Sequence, residues 1–134
     1  MILLVLDADL MPVARAIAPK ATVIGPEDLE KQSGKVFALG YGEGADRAAT
    51  VLLTRPGVLA GAVLLRPTVL SEPAAQPELA GVPVLAVPGK SGSHAVPQLL
   101  AKAGAAVDLA VQDADEFLVP QDFAIAKRWL AQFE

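Results

Sequence analysis

Cysteine is absent from the 134 residues, which excludes disulfides and thiolate metal sites. Histidine occurs once, at His94, so any imidazole chemistry falls to that residue. Aromatic residues make up 4% of the chain. No cluster of lysine and arginine appears, and the formal net charge is −4. That argues against a nucleic-acid partner, because phosphate binding needs a concentrated positive patch. No apolar run is long enough for a bilayer: the opening MILLVLDADL is too short. It also lacks the basic start and small-residue cleavage site of a signal peptide, so a cytoplasmic protein without membrane contact is expected. No repeat of 20–50 residues and no low-complexity linker divides the chain.

What is present is apolar. Hydrophobic residues make up 53% of the chain, which predicts one packed domain over residues 1–134. The Ala- and Pro-rich, cysteine-free composition would suit a thermophile. Short apolar runs at residues 2–7, 21–25, 35–41, 59–66, 82–87 and 106–112 predict strands. Helical patterns fill residues 10–18, 44–55, 94–104 and 120–133, with a turn or two of helix at 26–32. Asp9 is placed to cap the first helix, with Pro12 in its first turn. Gly104 reads as a C-cap, and Pro120 as a helix start. A proline-rich loop is expected at 67–81. The strands are continuously hydrophobic, as strands buried on both faces should be. The expected fold is α/β: a three-layer αβα sandwich around a mostly parallel six-stranded sheet.

In such folds function gathers at the C-terminal strand ends. The groups expected there are Asp7, Asp9, Gly40 to Gly44, Arg66, Lys90 to His94, and Asp113 to Glu116. The most pointed feature is GYGEG, Gly40 to Gly44, where a strand passes at once into a helix. Gly40, Gly42 and Ala45 fit a dinucleotide fingerprint, and Arg66 ends the next strand where a 2′-phosphate ligand could stand. No acidic residue occupies that strand end for a ribose, and the motif sits on the third strand. The VPGKSGS segment lacks the first glycine of a P-loop, having Val84 there. The Asp-x-Asp of Asp7 and Asp9 resembles the haloacid-dehalogenase-like phosphatases. A helix begins too soon after it for the hairpin flap of that family.

The third possibility is a nucleophile elbow, G-x-S-x-G on a sharp strand-to-helix turn. The segments LTRPGVLAGAVLLRPTVL, LAGVPVLAVPGK and AGAAVDLAVQDADEFLVPQDFAIAKRWLAQF closely resemble the strands and helices beyond the elbow in bacterial α/β-hydrolases of the phospholipase/carboxylesterase, dienelactone-hydrolase-like type. LLVLDADLMPVARAIAPKATVIGP resembles their early strand, helix and strand. The resemblance covers nearly the whole chain. Family members are longer, so a trimmed version without the first strands is expected. The resemblance places Gly42 at the nucleophile position, Gly92 at the acid position, and Glu116, within one residue, at the histidine position. It sets Asp7-Ala8 where the family opens its oxyanion loop with His-Gly. Nucleophile, base and orienter act as a unit, so these losses together imply no ester-hydrolysis machinery.

The expectation is therefore a catalytically inactive protein with a binding or structural role. A small ligand could lie among Asp7, Gly42, Glu43, Arg66, Lys90, Ser91 and Glu116. No metal or cofactor is called for. The acidic rim reads as a solvated edge, and Arg66 and Lys90 as its neutralising partners. Glu43 and Asp46 suit the first turn of their helix. The alternative is a hydrolase with non-standard residues: an esterase through Ser93 and His94, or a phosphatase through Asp7 and Asp9. Ser93 and His94 read more simply as a helix cap. Ile125, Trp129 and Phe133 form one apolar helical stripe. Two sheet edges with little cover imply a homodimer.

Overall fold

The computed structural model describes residues 1–68 and 78–134. The expected loop at 67–81 therefore lies partly outside the described residues. Among the described residues six strands form one sheet: β1 (Ile2–Val5), β2 (Thr22–Ile24), β3 (Val36–Tyr41), β4 (Gly61–Leu65), β5 (Pro83–Val87) and β6 (Ala106–Leu109). Their spatial order is β2-β1-β3-β4-β5-β6, and every pairing is parallel. The helices are α1 (Met11–Ile17), α2 (Glu43–Thr54), α3 (Ala95–Lys102) and α4 (Pro120–Ala131). Short 3-10 segments occupy Ala8–Leu10 and Pro26–Lys31.

Strand alternation explains the layering. Along β1, Leu3 and Val5 face one side, where Leu10, Ala14 and Ile17 from the α1 region meet Ala126, Trp129 and Leu130 of α4. Leu4 faces the other side, with Ala45, Ala48, Ala49 and Leu52 of α2, and Val96 and Leu100 of α3. Each fully buried leucine or valine contributes about 1.5–3 kcal/mol of transfer free energy. The small residues of α2 let that helix lie close to β3 and β4. Phe37 on β3 meets Trp129 and Phe133 in an aromatic cluster, with ring centroids 6.1 and 4.9 Å away. Trp129 is buried, while Phe133 keeps a partly exposed edge.

Two local expectations are corrected. Asp9 does not cap α1. It sits in the 3-10 turn, and Leu10 takes the N-cap position without a side-chain hydrogen bond. The intervening turn changes the direction of the chain before the helix can start. Nor is β6 buried on both faces: it is the sheet edge, and Ala106, Asp108 and Leu109 are exposed. Gly104 lies one residue past the C-cap of α3 with φ 101°, where glycine avoids the Cβ penalty. Among the described residues no helix is long and apolar enough to cross a membrane.

Candidate functional site

Sheet order reverses at β1 and β3: the chain leaves β1 to one side for β2, then returns to the other for β3. A crevice opens at the C-terminal ends of strands at such a point. The GYGEG turn sits there. Gly42 has φ 58° and ψ −119°, a backbone region that disfavours side chains. Its N–H donates to the Leu65 carbonyl at 2.9 Å, which ties the turn to β4. A Cβ on Gly42 would meet nothing within 4 Å. The flanking glycines differ. A Cβ on Gly40 would lie 2.4 Å from the Gly44 backbone, and one on Gly44 would lie 2.2 Å from Asp7 Oδ2. Positions 40 and 44 need glycine for close approach, and position 42 only for its backbone angles. This is the geometry of an elbow whose apex carries no side chain.

Three further segments converge on the elbow. Asp7, after β1, accepts a hydrogen bond from the Tyr41 N–H at 2.8 Å. Tyr41 Oη donates to the Glu116 carbonyl at 2.5 Å, joining the elbow to the loop before α4. The turn after β5 is joined to that loop as well. Lys90 N–H donates to the Ala114 carbonyl at 2.9 Å, and a Cβ on Gly89 would lie 2.5 Å from the same oxygen. The turns that carry Gly42, Gly92 and Glu116 are therefore stitched together.

Arg66 is the principal stitch. Its Nε donates to the Asp115 carbonyl at 2.6 Å. One terminal nitrogen serves the Val87 carbonyl and Asp122 Oδ1, and the other Asp122 Oδ2 and the Phe117 carbonyl. A guanidinium has five N–H donors, and all five are engaged here. Arg66 is 5% exposed and Asp122 is fully buried, so the pair is a buried, bidentate ion pair. Asp122 also accepts the Val119 N–H at 2.7 Å, closing the first turn of α4. Arg66 holds a positive φ of 50° to reach these partners. Arg66 thus has no N–H left for a phosphate, and the dinucleotide possibility loses its anion ligand.

A cleft of about 440 Å³ opens beside these turns. Its lining includes the buried Arg66, Pro67 and Gly89, together with Thr68, Ser91, Gly92, Ser93, Asp115 and Glu116. Gly92 and Glu116 thus share one cleft. Gly42, Asp7, Glu43 and Lys90 do not line it. Thr68 is fixed by Asp46, whose carboxylate accepts both the Thr68 N–H, at 2.9 Å, and its hydroxyl. Ser93 Oγ accepts the Ala95 N–H at 3.1 Å, so it caps α3, and His94 occupies the N-cap position. No Ser93–His94 side-chain bond forms among the described residues. Lys90 Nζ lies 3.8 Å from Asp113 Oδ1, and both side chains are exposed. Glu43 is exposed at the first turn of α2, and Asp9 is exposed in the 3-10 turn after β1. Among the described residues no three His, Asp or Glu side chains converge as metal ligands would. A second cleft, about 520 Å³, lies at the opposite end of the sheet between Ile2, Lys35, Phe37 and Phe133. It carries none of these groups.

Asp122 and Tyr41 escaped sequence reasoning, and Asp46 was read only as suiting its helix dipole, not as the partner of Thr68. Asp122 had a signal, because an acid two residues after a helix-starting proline, at the third helical position, suits an N-terminal cap. An arginine closing a buried strand also demands a partner. Tyr41 had none, since its bond spans 75 residues.

An all-parallel sheet, helices on both faces and an elbow after the third strand define an α/β-hydrolase fold. Solved structures agree. A carboxylesterase from Mesorhizobium loti superposes with a TM-score of 0.81 at 24% identity, covering 97% of this chain and 88% of that one. The Bacillus cereus carboxylesterase gives 0.85 at 23%, covering 98% and 87%. A phospholipase/carboxylesterase from Dyadobacter fermentans DSM 18053 gives 0.76 at 11%, covering 97% and 88%. In sequence, the chain is 32% identical over 103 residues to the Bacillus subtilis (strain 168) protein named "Putative hydrolase MhqD". That match covers 72% of this chain and 52% of the relative, so the chain spans about half the relative's length. No family model matches.

Proposed function

We propose that this chain is a phospholipase/carboxylesterase-type α/β-hydrolase that has lost its triad and acts by binding a small molecule rather than by hydrolysing esters. The observation that carries this is Gly42. It stands at the apex of an intact elbow with nothing to attack a carbonyl. Gly92 at the acid position and Glu116 at the histidine position support the same view. A carboxylate is a poor substitute for an imidazole that must shuttle protons near neutral pH.

The ligand would enter the cleft beside Gly92. The polar groups around it are the hydroxyls of Ser91 and Ser93 and the carboxylates of Asp115 and Glu116. Arg66 has no donor to spare, and Lys90 stands outside. The site therefore favours a neutral hydroxylated molecule or a cation over an anion.

The test pairs activity with binding. Turnover of p-nitrophenyl esters and phosphates should equal that of buffer, while neutral and cationic small molecules should include some that raise the melting temperature. That stabilisation should weaken in Glu116→Gln or Ser91→Ala. Ester turnover abolished by Ser93→Ala with His94→Ala would replace this proposal with a rebuilt esterase. Phosphate turnover abolished by Asp7→Asn would replace it with a phosphatase.

A further inference from the structure

We propose that two copies of this chain join through the outer edge of β6, in antiparallel register about Leu109, to make one continuous twelve-stranded sheet. This interface is independent of the cleft. The two edges of the sheet are built differently. The β2 edge is three residues long and flanked by Pro19 and Pro26, the usual ways of blunting an edge. The β6 edge runs from Ala106 towards Val111 with no proline, lysine or arginine. Leu109 is 50% exposed and Val111 47% exposed, two of the largest apolar exposures on the described surface.

The register says which backbone groups are free. Ala106 and Ala110 donate inward, to the Val82 and Ala86 carbonyls of the β5 side. Alternation then turns the N–H and C=O groups of Val107, Leu109 and Val111 outward. Among the described residues no strand takes them up.

The residues on this edge are self-complementary. With Leu109 opposite its own copy, Val107 pairs with Val111 of the second chain, and the reverse. All three share one face, so a two-fold axis at Leu109 gathers six apolar side chains. Charge selects the same register. Asp108 then opposes Ala110, and not another Asp108. Shifting the axis by one residue would set the two Asp108 carboxylates against each other, roughly 4.5 Å apart at Cα. Asp108 is moreover occupied on the α4 face, where it accepts the Trp129 Nε1–H at 2.9 Å. A foreign strand would need its own matching apolar pattern; a second copy carries it already.

The absence of cysteine provides a direct trap. Facing Leu109 residues would lie about 5.5 Å apart at Cα, within disulfide reach. Leu109→Cys should crosslink to a dimer under mild oxidation, whereas Thr22→Cys on the β2 edge should not. Light scattering of the unaltered chain should give twice the monomer mass. The double variant L109K and V111K should give the monomer mass with an unchanged far-ultraviolet circular dichroism spectrum. A monomeric unaltered chain overturns the proposal. So does a dimer that survives both lysines, or a Leu109→Cys variant that crosslinks no faster than Thr22→Cys. If the lysine variant fails to fold, the cysteine pair decides alone.

Discussion

Substituting the three elbow glycines separately tests the central geometric inference. Gly42→Ala adds a methyl group that meets nothing within 4 Å, so its cost is backbone strain alone. Holding a non-glycine residue at φ 58° and ψ −119° costs about 1–3 kcal/mol. Stiffening the unfolded chain returns about 0.4–1 kcal/mol. The net loss should be about 1–2 kcal/mol, or roughly 3–8 °C in melting temperature for a chain of this size. Gly40→Ala is different, because its Cβ would lie 2.4 Å from the backbone of Gly44. Strand and helix must separate, and a cost above about 3 kcal/mol is expected. Gly44→Ala displaces the Asp7 carboxylate and breaks its bond to Tyr41, placing it between the other two. Urea unfolding of the three variants reads the order directly. If Gly42→Ala proves as damaging as Gly40→Ala, position 42 is not an open apex, and the elbow has been misassigned.

The same contacts set further expectations. Arg66→Met or Asp122→Leu should each cost about 3–5 kcal/mol, since each leaves a buried charge unpaired. The double variant should cost less than the sum, giving a clear coupling energy in a double-mutant cycle. Asp46→Ala should cost about 1–2 kcal/mol by urea unfolding, because Thr68 loses both of its bonds to that carboxylate. Gly42→Ser alone should leave ester turnover at the buffer rate. Only Gly42→Ser combined with Gly92→Asp and Glu116→His should raise it, if these are the three triad positions. Asp108→Ala should leave Trp129 Nε1 without its acceptor and shift the tryptophan fluorescence.

Most of the fold was legible because its strands are short, apolar and bounded by glycine or proline, while its helices repeat at helical spacing. The sheet β1 to β5 appears where that pattern puts it. β6 was legible as a strand but not as an edge: AVDLAV is as apolar as its neighbours, and only the sheet order shows that no described strand lies beyond it. Asp9 failed as a cap because local sequence signals a helix start but not the turn that precedes it. At the site, the turns were legible and their stitching was not. The Arg66–Asp122 pair joins residues 56 positions apart, and no local rule pairs them. His94 and Ser93 could be placed from helix-start chemistry alone. The fold class alone set Lys90 to His94 and Asp113 to Glu116 at the same strand ends, but that Gly92 and Glu116 line one cleft is seen only in the structure.

The pattern of contacts explains how these turns keep their shape. Among the described residues, most bonds that draw the turns together end on a backbone group or on Arg66, Asp122, Asp7 or Tyr41, while Asp46 holds Thr68 and Lys90 reaches Asp113. Gly42 takes part through its N–H, and Glu116 through its carbonyl. A side chain at position 42, 92 or 116 forms none of these links. Removing a serine, an aspartate and a histidine from those places would therefore remove the chemistry and leave the framework. The reverse does not hold. Gly40, Gly44 and Gly89 each lie within van der Waals contact of another segment, so a side chain there would push the turns apart. The side chains at positions 42, 92 and 116 are thus distinct from those that hold the turns together. An elbow with glycine at its apex is then compatible with an intact framework.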